Sequence, residues 1–368
     1  MNILRAGGIL NVVVNILVII LVFGIIIMIH ELGHFLMCKW TGIGVSEFSV
    51  GMGPCIYKKQ RGETQYSIRC LPIGGYCMML GDDEEDCKDE RAFSNKPIWS
   101  RIAVIAAGPI FNFLLAFVAS MILIGMAGYL TGEVNYVQEG SGAEAAGLQE
   151  GDVITHINGS RVYDFREVTM YMQFYSSDEP IQLQILRDGE KMELSVTPQY
   201  NEERGQYIMG IDGGYQPEGD YLIRTKANFL TNIKYSALEV RYWIKTTFVG
   251  LKQLVTGRVG VNQVSGVVGV ADMMNSTMNK AQETGGWFNV VLNVIYFIIL
   301  ISANLGVMNL LPFPALDGGR LLFLLVELVT RKPIPKEKEA FVHAVGFVIL
   351  FIVMILVTFK DIRNLFIR

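Results

Sequence analysis

The stretch IIIMIHELGHFLM, Ile25 to Met37, closes a run apolar enough to cross a bilayer, yet it places two histidines and a glutamate within five residues. Ionisable groups at membrane depth are costly, and those that occur usually face a protein interior or a wet cavity where they do chemistry. The spacing says which chemistry. At about 100° per residue, His30 and His34 lie about 40° apart on one helical face, one turn from each other. Their imidazoles can grip one metal ion. Glu31 lies about 100° round from His30, beside such an ion and free to handle water. This is the H-E-x-x-H pattern of a zinc-protease helix, with the glutamate as general base. A chance match holding two satisfied histidines is the alternative.

The surrounding composition fits a membrane setting. Of 368 residues, 51% are hydrophobic and 18% charged, with a mean hydropathy of +0.36. That balance favours a multi-span membrane protein over a soluble enzyme. Four stretches, near Ile9–Ile29, Ile102–Leu130, Trp287–Leu311 and Ala340–Phe359, are long enough for a core of roughly 30 Å, which takes about 20 helical residues. The first is read as a retained span, because its apolar core exceeds the roughly 7–15 residues of a signal peptide and no small-residue cleavage site follows. A net charge of −4 without a basic tract argues against nucleic acid as a partner.

Orientation follows from lysine, arginine and cysteine. Arg320, Arg331, Lys332, Lys336 and Lys338 crowd the loop after the third span, which places that loop in the cytoplasm. With four spans, the segment between spans one and two shares that side, and both chain ends lie outside. This segment also holds all five cysteines, Cys38, Cys55, Cys70, Cys77 and Cys87, read as free thiols on a reducing side, with a zinc cluster as the alternative.

The connecting segments carry their own signals. FSVGMGPCIYKK and TQYSIRCLPIGGYCMML, within residues 38–97, alternate in the manner of one or two β-hairpins dipping back toward the membrane. The acidic run GDDEEDCKDE that follows reads as a solvated loop. In 131–200, AAGLQEGDVITHINGSRV and a hairpin joined at Asp188-Gly189 resemble a PDZ domain. Residues 219–285 show helical periodicity, expected as an interfacial amphipathic helix.

A catalytic zinc site takes three protein ligands and an open position, so the two histidines need a third partner at the same depth. NLLPFPALDGGRLLF, Asn309 to Phe323, offers Asp317 just past the prolines that interrupt span three. Asp317 is either that ligand or a cap for the next helix. Of the remaining histidines, His156 falls in a PDZ strand and His343 reads as interfacial.

HELGH together with NLLPFPALDGG resembles the paired signatures of the site-2 protease family of intramembrane zinc metalloproteases, and AAGPIFNF, Ala106 to Phe113, is similar to that family's second-span motif. The resemblance covers essentially the whole chain and is nearest to the bacterial regulator-of-sigma-E protease branch. It departs in having room for one PDZ domain where some members have two, and in Val267 where relatives often place proline. The resemblance implies that His30, His34 and Asp317 hold zinc and that Glu31 activates water. It also implies that Asn112 helps hold substrate or the oxyanion and that Asn309 binds substrate backbone; an interhelical hydrogen bond is the alternative for Asn112.

The expected architecture is thus a polytopic α-helical membrane protein of about four transmembrane helices, with a membrane-associated β-hairpin region and one extracytoplasmic PDZ domain. Its segments are 1–37, 38–97, 98–130, 131–200, 201–286, 287–339 and 340–368. The expected activity is zinc-dependent cleavage of single-span membrane proteins in a bacterial cell membrane, with the active site toward the cytoplasm. The rival is a non-enzymatic PDZ adaptor that binds extracytoplasmic peptide tails; a zinc-dependent transporter is a third reading.

Overall fold

The computed structural model of the chain describes residues 2–81, 88–213, 215–216, 219–222, 224–260 and 264–367. Cys87 and most of the acidic run lie outside these residues. In chain order the elements are α1 (Asn2–Thr41), β1 (Val45–Arg61), β2 (Thr64–Met79), α2 (Ile98–Ala127), β3 (Tyr136–Val137), α3 (Gly142–Ala145), β4 (Val153–Ile157), β5 (Ser160–Arg161) and α4 (Phe165–Gln173). They continue with β6 (Ile181–Arg187), β7 (Glu190–Val196), β8 (Gln199–Asn201), β9 (Gln206–Ile208), β10 (Ile211–Asp212), β11 (Tyr215–Gln216), β12 (Gly219–Leu222), α5 (Phe229–Val255), α6 (Val267–Leu310), α7 (Asp317–Thr330) and α8 (Lys336–Ile367). Four helices are long and apolar enough to cross a membrane: α1, α2, α6 and α8.

The chain divides into two compact units, residues 1–120 with 243–368, and residues 121–242. In the first, α1 and α6 share a core of Val22, Ile26, Met274, Met278, Ala281, Val290 and Phe297. Buried Asn15 donates to the side-chain oxygens of Asn275 at 2.8 Å and Asn279 at 2.9 Å, a polar clasp of the kind that joins helices where no water competes. A second core, with Cys38, Ile43, Val45, Met79, Val104, Ile105 and Leu324, ties α1, the strands, α2 and α7 together.

The strands β1 and β2 do not form a simple hairpin but fold over on themselves. Residues 47–50 pair with 75–78 on one side and with 65–68 on the other, while 57–61 pair with 64–68. The bends fall at Gly51, Gly53 and Gly74, whose φ values of 86°, 83° and 91° suit glycine. Segment 75–79 therefore forms one edge of the sheet. It runs alongside α1: a side chain at Gly24 would meet the Pro72 carbonyl at 2.7 Å, and one at Gly75 would touch Glu31 Cγ at 3.6 Å. Cys38, Cys55, Cys70 and Cys77 are free thiols.

The second unit is built on the sheet β5-β4-β6-β7, whose inward residues Ile154, Ile157, Ile181, Leu183, Ile185 and Val196 pack under α4 through Phe165, Val168 and Met172. Asn158-Gly159 and Asp188-Gly189 make its tight turns, all four with positive φ, as primed hairpin turns require. The helical expectation over 219–285 is corrected at its start. There β11 pairs with β12, and α5 begins only at Phe229. Helix is present as expected over Phe229–Val255 and again from Val267; the third span, expected from Trp287, is carried by a helix that begins at Val267 and is broken by non-helical Gly285 and Gly286. Adjacent glycines lack the side chains that hold a helix, so the break falls there.

Asp152 anchors the second unit. It is 1% exposed, accepts from Arg187 Nε and Nη2 at 2.7 Å each, and accepts the Gln149 N–H at 2.8 Å. Burial opposes the charge, but Arg187 and the backbone N–H outweigh it and hold the carboxyl below its usual value. Its contribution is therefore present above about pH 4 and lost as pH falls through the lowered value. Asp152→Asn is expected to make this unit about 3 kcal/mol easier to unfold at pH 7, with the gap to wild type narrowing in acid; denaturant titrations at both pH values check it.

Candidate metal centre

His30 and His34 sit in the interior of α1, 7% and 6% exposed, on the face turned to α2 and α7. Their Nε2 atoms lie 3.2 Å apart. Asp317, the first residue of α7, brings Oδ2 to 3.1 Å from His30 Nε2 and 3.4 Å from His34 Nε2. The three ligating atoms form a nearly equilateral triangle. Bonds of about 2.0–2.2 Å in tetrahedral array put ligand atoms about 3.3–3.5 Å apart, so one zinc-sized ion fits these side chains with little movement. Asp317 Oδ2 is buried without a hydrogen-bond partner, an uncompensated charge that a cation satisfies. This donor set, two imidazole nitrogens and one carboxylate oxygen, suits zinc and leaves a fourth position open.

Each side chain is held from behind. His34 Nδ1 donates to the Val104 carbonyl at 2.8 Å, so its Nε2 presents a lone pair. His30 Nδ1 is 3.1 Å from the amide of Asn112, which is wholly buried. Glu31 lies against the edge of the sheet, where a side chain at Gly75 would touch its Cγ. One turn beyond His34, Cys38 lies against Cys77.

The helices approach closely because two glycines permit it. A Cβ at Gly33 would lie 2.5 Å from the Ala107 carbonyl, and one at Gly108 would overlap His34 Nε2 and stand 2.8 Å from His30 Cε1. Gly108 sits in the second-span motif, but its role depends on a tertiary approach that no local pattern reveals.

The aspartate arrives on a constrained loop. Phe313, Pro314, Ala315 and Leu316 turn the chain from α6 into α7, and Gly318 and Gly319 pack against the carbonyls of Leu311 and Phe313 more closely than any side chain would allow. Ala315 has φ +73°, a conformation costing an L-residue about 1–2 kcal/mol. His343 of α8 holds it, accepting the Ala315 N–H on Nδ1 at 2.9 Å, and Gly346 packs on Pro314. The interfacial reading of His343 is thereby replaced by a bracing one. Asn309, half-buried near the end of α6, is not among the residues bonded to the cluster, whereas Asn112 is. His156 lies on β4 in the other unit.

Gly108→Ala is expected to cut zinc bound by the purified protein from about one ion per chain to a small fraction, since the methyl group takes the space of the imidazoles. Elemental analysis together with a folding check reads this out; undiminished zinc in a folded variant would show that the helices part easily.

Residues 18–353 match the family described as peptidase family M50. A Clostridium acetobutylicum protein provisionally named a zinc metalloprotease is 37% identical, with 95% of this chain and 97% of its own length covered. The regulator of sigma-W protease RasP of Bacillus subtilis is 31% identical over 94% of this chain and 98% of its own. Among solved structures, PDZ domains of SdrC-like proteins from Listeria monocytogenes and Listeria innocua align at 19% and 22% identity, covering 23% and 25% of this chain and 85% and 99% of theirs, with TM-scores of 0.20 and 0.21. The length and completeness of the family match leave one conclusion: the chain belongs to peptidase family M50.

Proposed function

We propose that the protein is a zinc-dependent intramembrane endopeptidase that cuts single-span membrane proteins, with His30, His34 and Asp317 as zinc ligands and Glu31 as general base. The observation that carries this reading is the triangle of ligating atoms, 3.1–3.4 Å on a side, with a glutamate beside it and an open fourth position. Zinc, when bound, supplies a Lewis acid that brings the pKa of water to about 7 and polarises the scissile carbonyl. Glu31 takes the proton of the attacking water and passes it to the departing amine. A site closed for structure alone would need no such base and would take a fourth protein ligand.

A helical substrate hides its peptide bonds, so it must unwind before attack. Segment 75–79 pairs on one side only among the described residues and packs against Glu31 at Gly75. An unwound stretch added to this edge as a further strand would lie beside the base. Asn309, near the loop that carries Asp317, is the candidate to hold substrate backbone.

Lysine and arginine crowding after span three supports a site toward the cytoplasm and a PDZ domain outside, in a bacterial cell membrane. A rigid folded domain there suits a filter that excludes bulky ectodomains and admits substrates already trimmed. Substrates of the anti-sigma-factor or signal-peptide-remnant kind have that form.

Glu31→Gln is expected to abolish cleavage of a tagged single-span substrate while retaining about one zinc per chain, and Asp317→Ala to lose both. Purified proteins are compared for product and metal. Near-normal cleavage by Glu31→Gln would remove the general base from the account, and full zinc in Asp317→Ala would require another third ligand.

Deleting 133–199 is expected to leave hydrolysis intact and to narrow the preference for ectodomain-trimmed over full-length substrate. Loss of cleavage of both forms by a folded, membrane-inserted deletion protein would contradict the filter.

A further inference from the structure

Both histidines of the cluster turn Nε2 toward Asp317, and a metal-bound imidazole donates a hydrogen bond from its other ring N–H to an acceptor. His34 has one in the Val104 carbonyl. For His30 the group within reach is the Asn112 amide, 3.1 Å from Nδ1, with Nδ2 as the near atom. With Nε2 kept for a metal, Nδ1 carries the hydrogen, and this orientation would set two donors against each other.

Asparagine resolves such a conflict by a half-turn of its amide, and the hydrogen-bond network chooses between the two orientations. Nothing holds the oxygen away from His30: Asn112 Oδ1 is buried without a hydrogen-bond partner, so the turn breaks no bond to it. The position of the residue does not depend on its amide. Ser302 of α6 donates to the Asn112 backbone carbonyl at 2.8 Å, which clasps α2 to α6 at this level.

We propose that Asn112 is a positioning residue for His30, its side-chain oxygen accepting the Nδ1–H and so committing Nε2 to the metal. The proposal rests on the zinc reading of the cluster. It differs from a role on substrate or oxyanion, which would leave metal affinity unchanged, and from interhelical glue, which the Ser302 bond to the backbone already supplies.

The test uses the full-length protein in detergent, comparing wild type, Asn112→Asp and Asn112→Leu. Zinc affinity is measured by chelator competition, and the visible spectrum of the cobalt-substituted protein reports the ligand field. Asn112→Leu, of similar size but without an acceptor, is expected to bind zinc about 10–100-fold more weakly and to alter the cobalt bands. Asn112→Asp keeps the acceptor and is expected to stay close to wild type in both. Wild-type affinity in folded Asn112→Leu overturns the proposal, as does weakened binding in Asn112→Asp, since a carboxylate can accept from Nδ1–H but cannot replace an amide donor. Should Asn112→Leu fail to fold, the aspartate variant decides alone. Wild type binding no zinc would remove the underlying reading, and the proposal with it; one ion in wild type and no effect in the variants would remove only the proposal.

Discussion

Charged and strongly polar groups inside an apolar helical body must satisfy one another or bind an ion. His30, His34 and Asp317 do so jointly, though nearly the whole chain separates the first from the last. Much of the first unit serves that meeting. Gly33 and Gly108 let α1 and α2 approach until the histidines are walled in. Val104 and Asn112, both on α2, hold the far ring nitrogens. The Leu311–Leu316 turn, braced by His343, delivers the carboxylate at the depth of the imidazoles.

The sheet beside α1 follows from the same constraint. A glutamate that serves as base must stand next to the metal without joining it, so a neighbour has to hold it. An edge segment does this by packing against it at Gly75. That segment reaches the helix only because β1 and β2 bend at glycines and fold into a four-segment sheet. Glu31 on α1 and the edge segment of β2 are thereby neighbours, so a strand added at that edge would lie beside the glutamate.

What the sequence discloses tracks how local each feature is. His30, Glu31 and His34 are legible because one helical turn fixes their relation, and four spans because hydropathy over about 20 residues needs no tertiary knowledge. The Asn158-Gly159 and Asp188-Gly189 turns are legible for a similar reason: few residues adopt positive φ there. Asp317 takes topology and family resemblance to single out, since nothing near it in sequence distinguishes a candidate ligand from a helix cap. The parts played by Gly108 and His343 are not legible, because each acts through a neighbour distant in the chain. The helical expectation over 219–285 failed at Gly219–Leu222, where a short strand pair is too brief to register against the strong periodicity of the helix that follows.

Zinc K-edge X-ray absorption of the purified wild-type protein reads out the ligand atoms themselves. Binding by His30, His34 and Asp317 gives nitrogen and oxygen neighbours alone, at about 2.0–2.2 Å, with the outer scattering of two imidazoles. Cys38, one helical turn beyond His34, lies against Cys77, and these two thiols are the rival donors. Sulfur neighbours at about 2.3 Å would place the metal on those thiols and contradict the account.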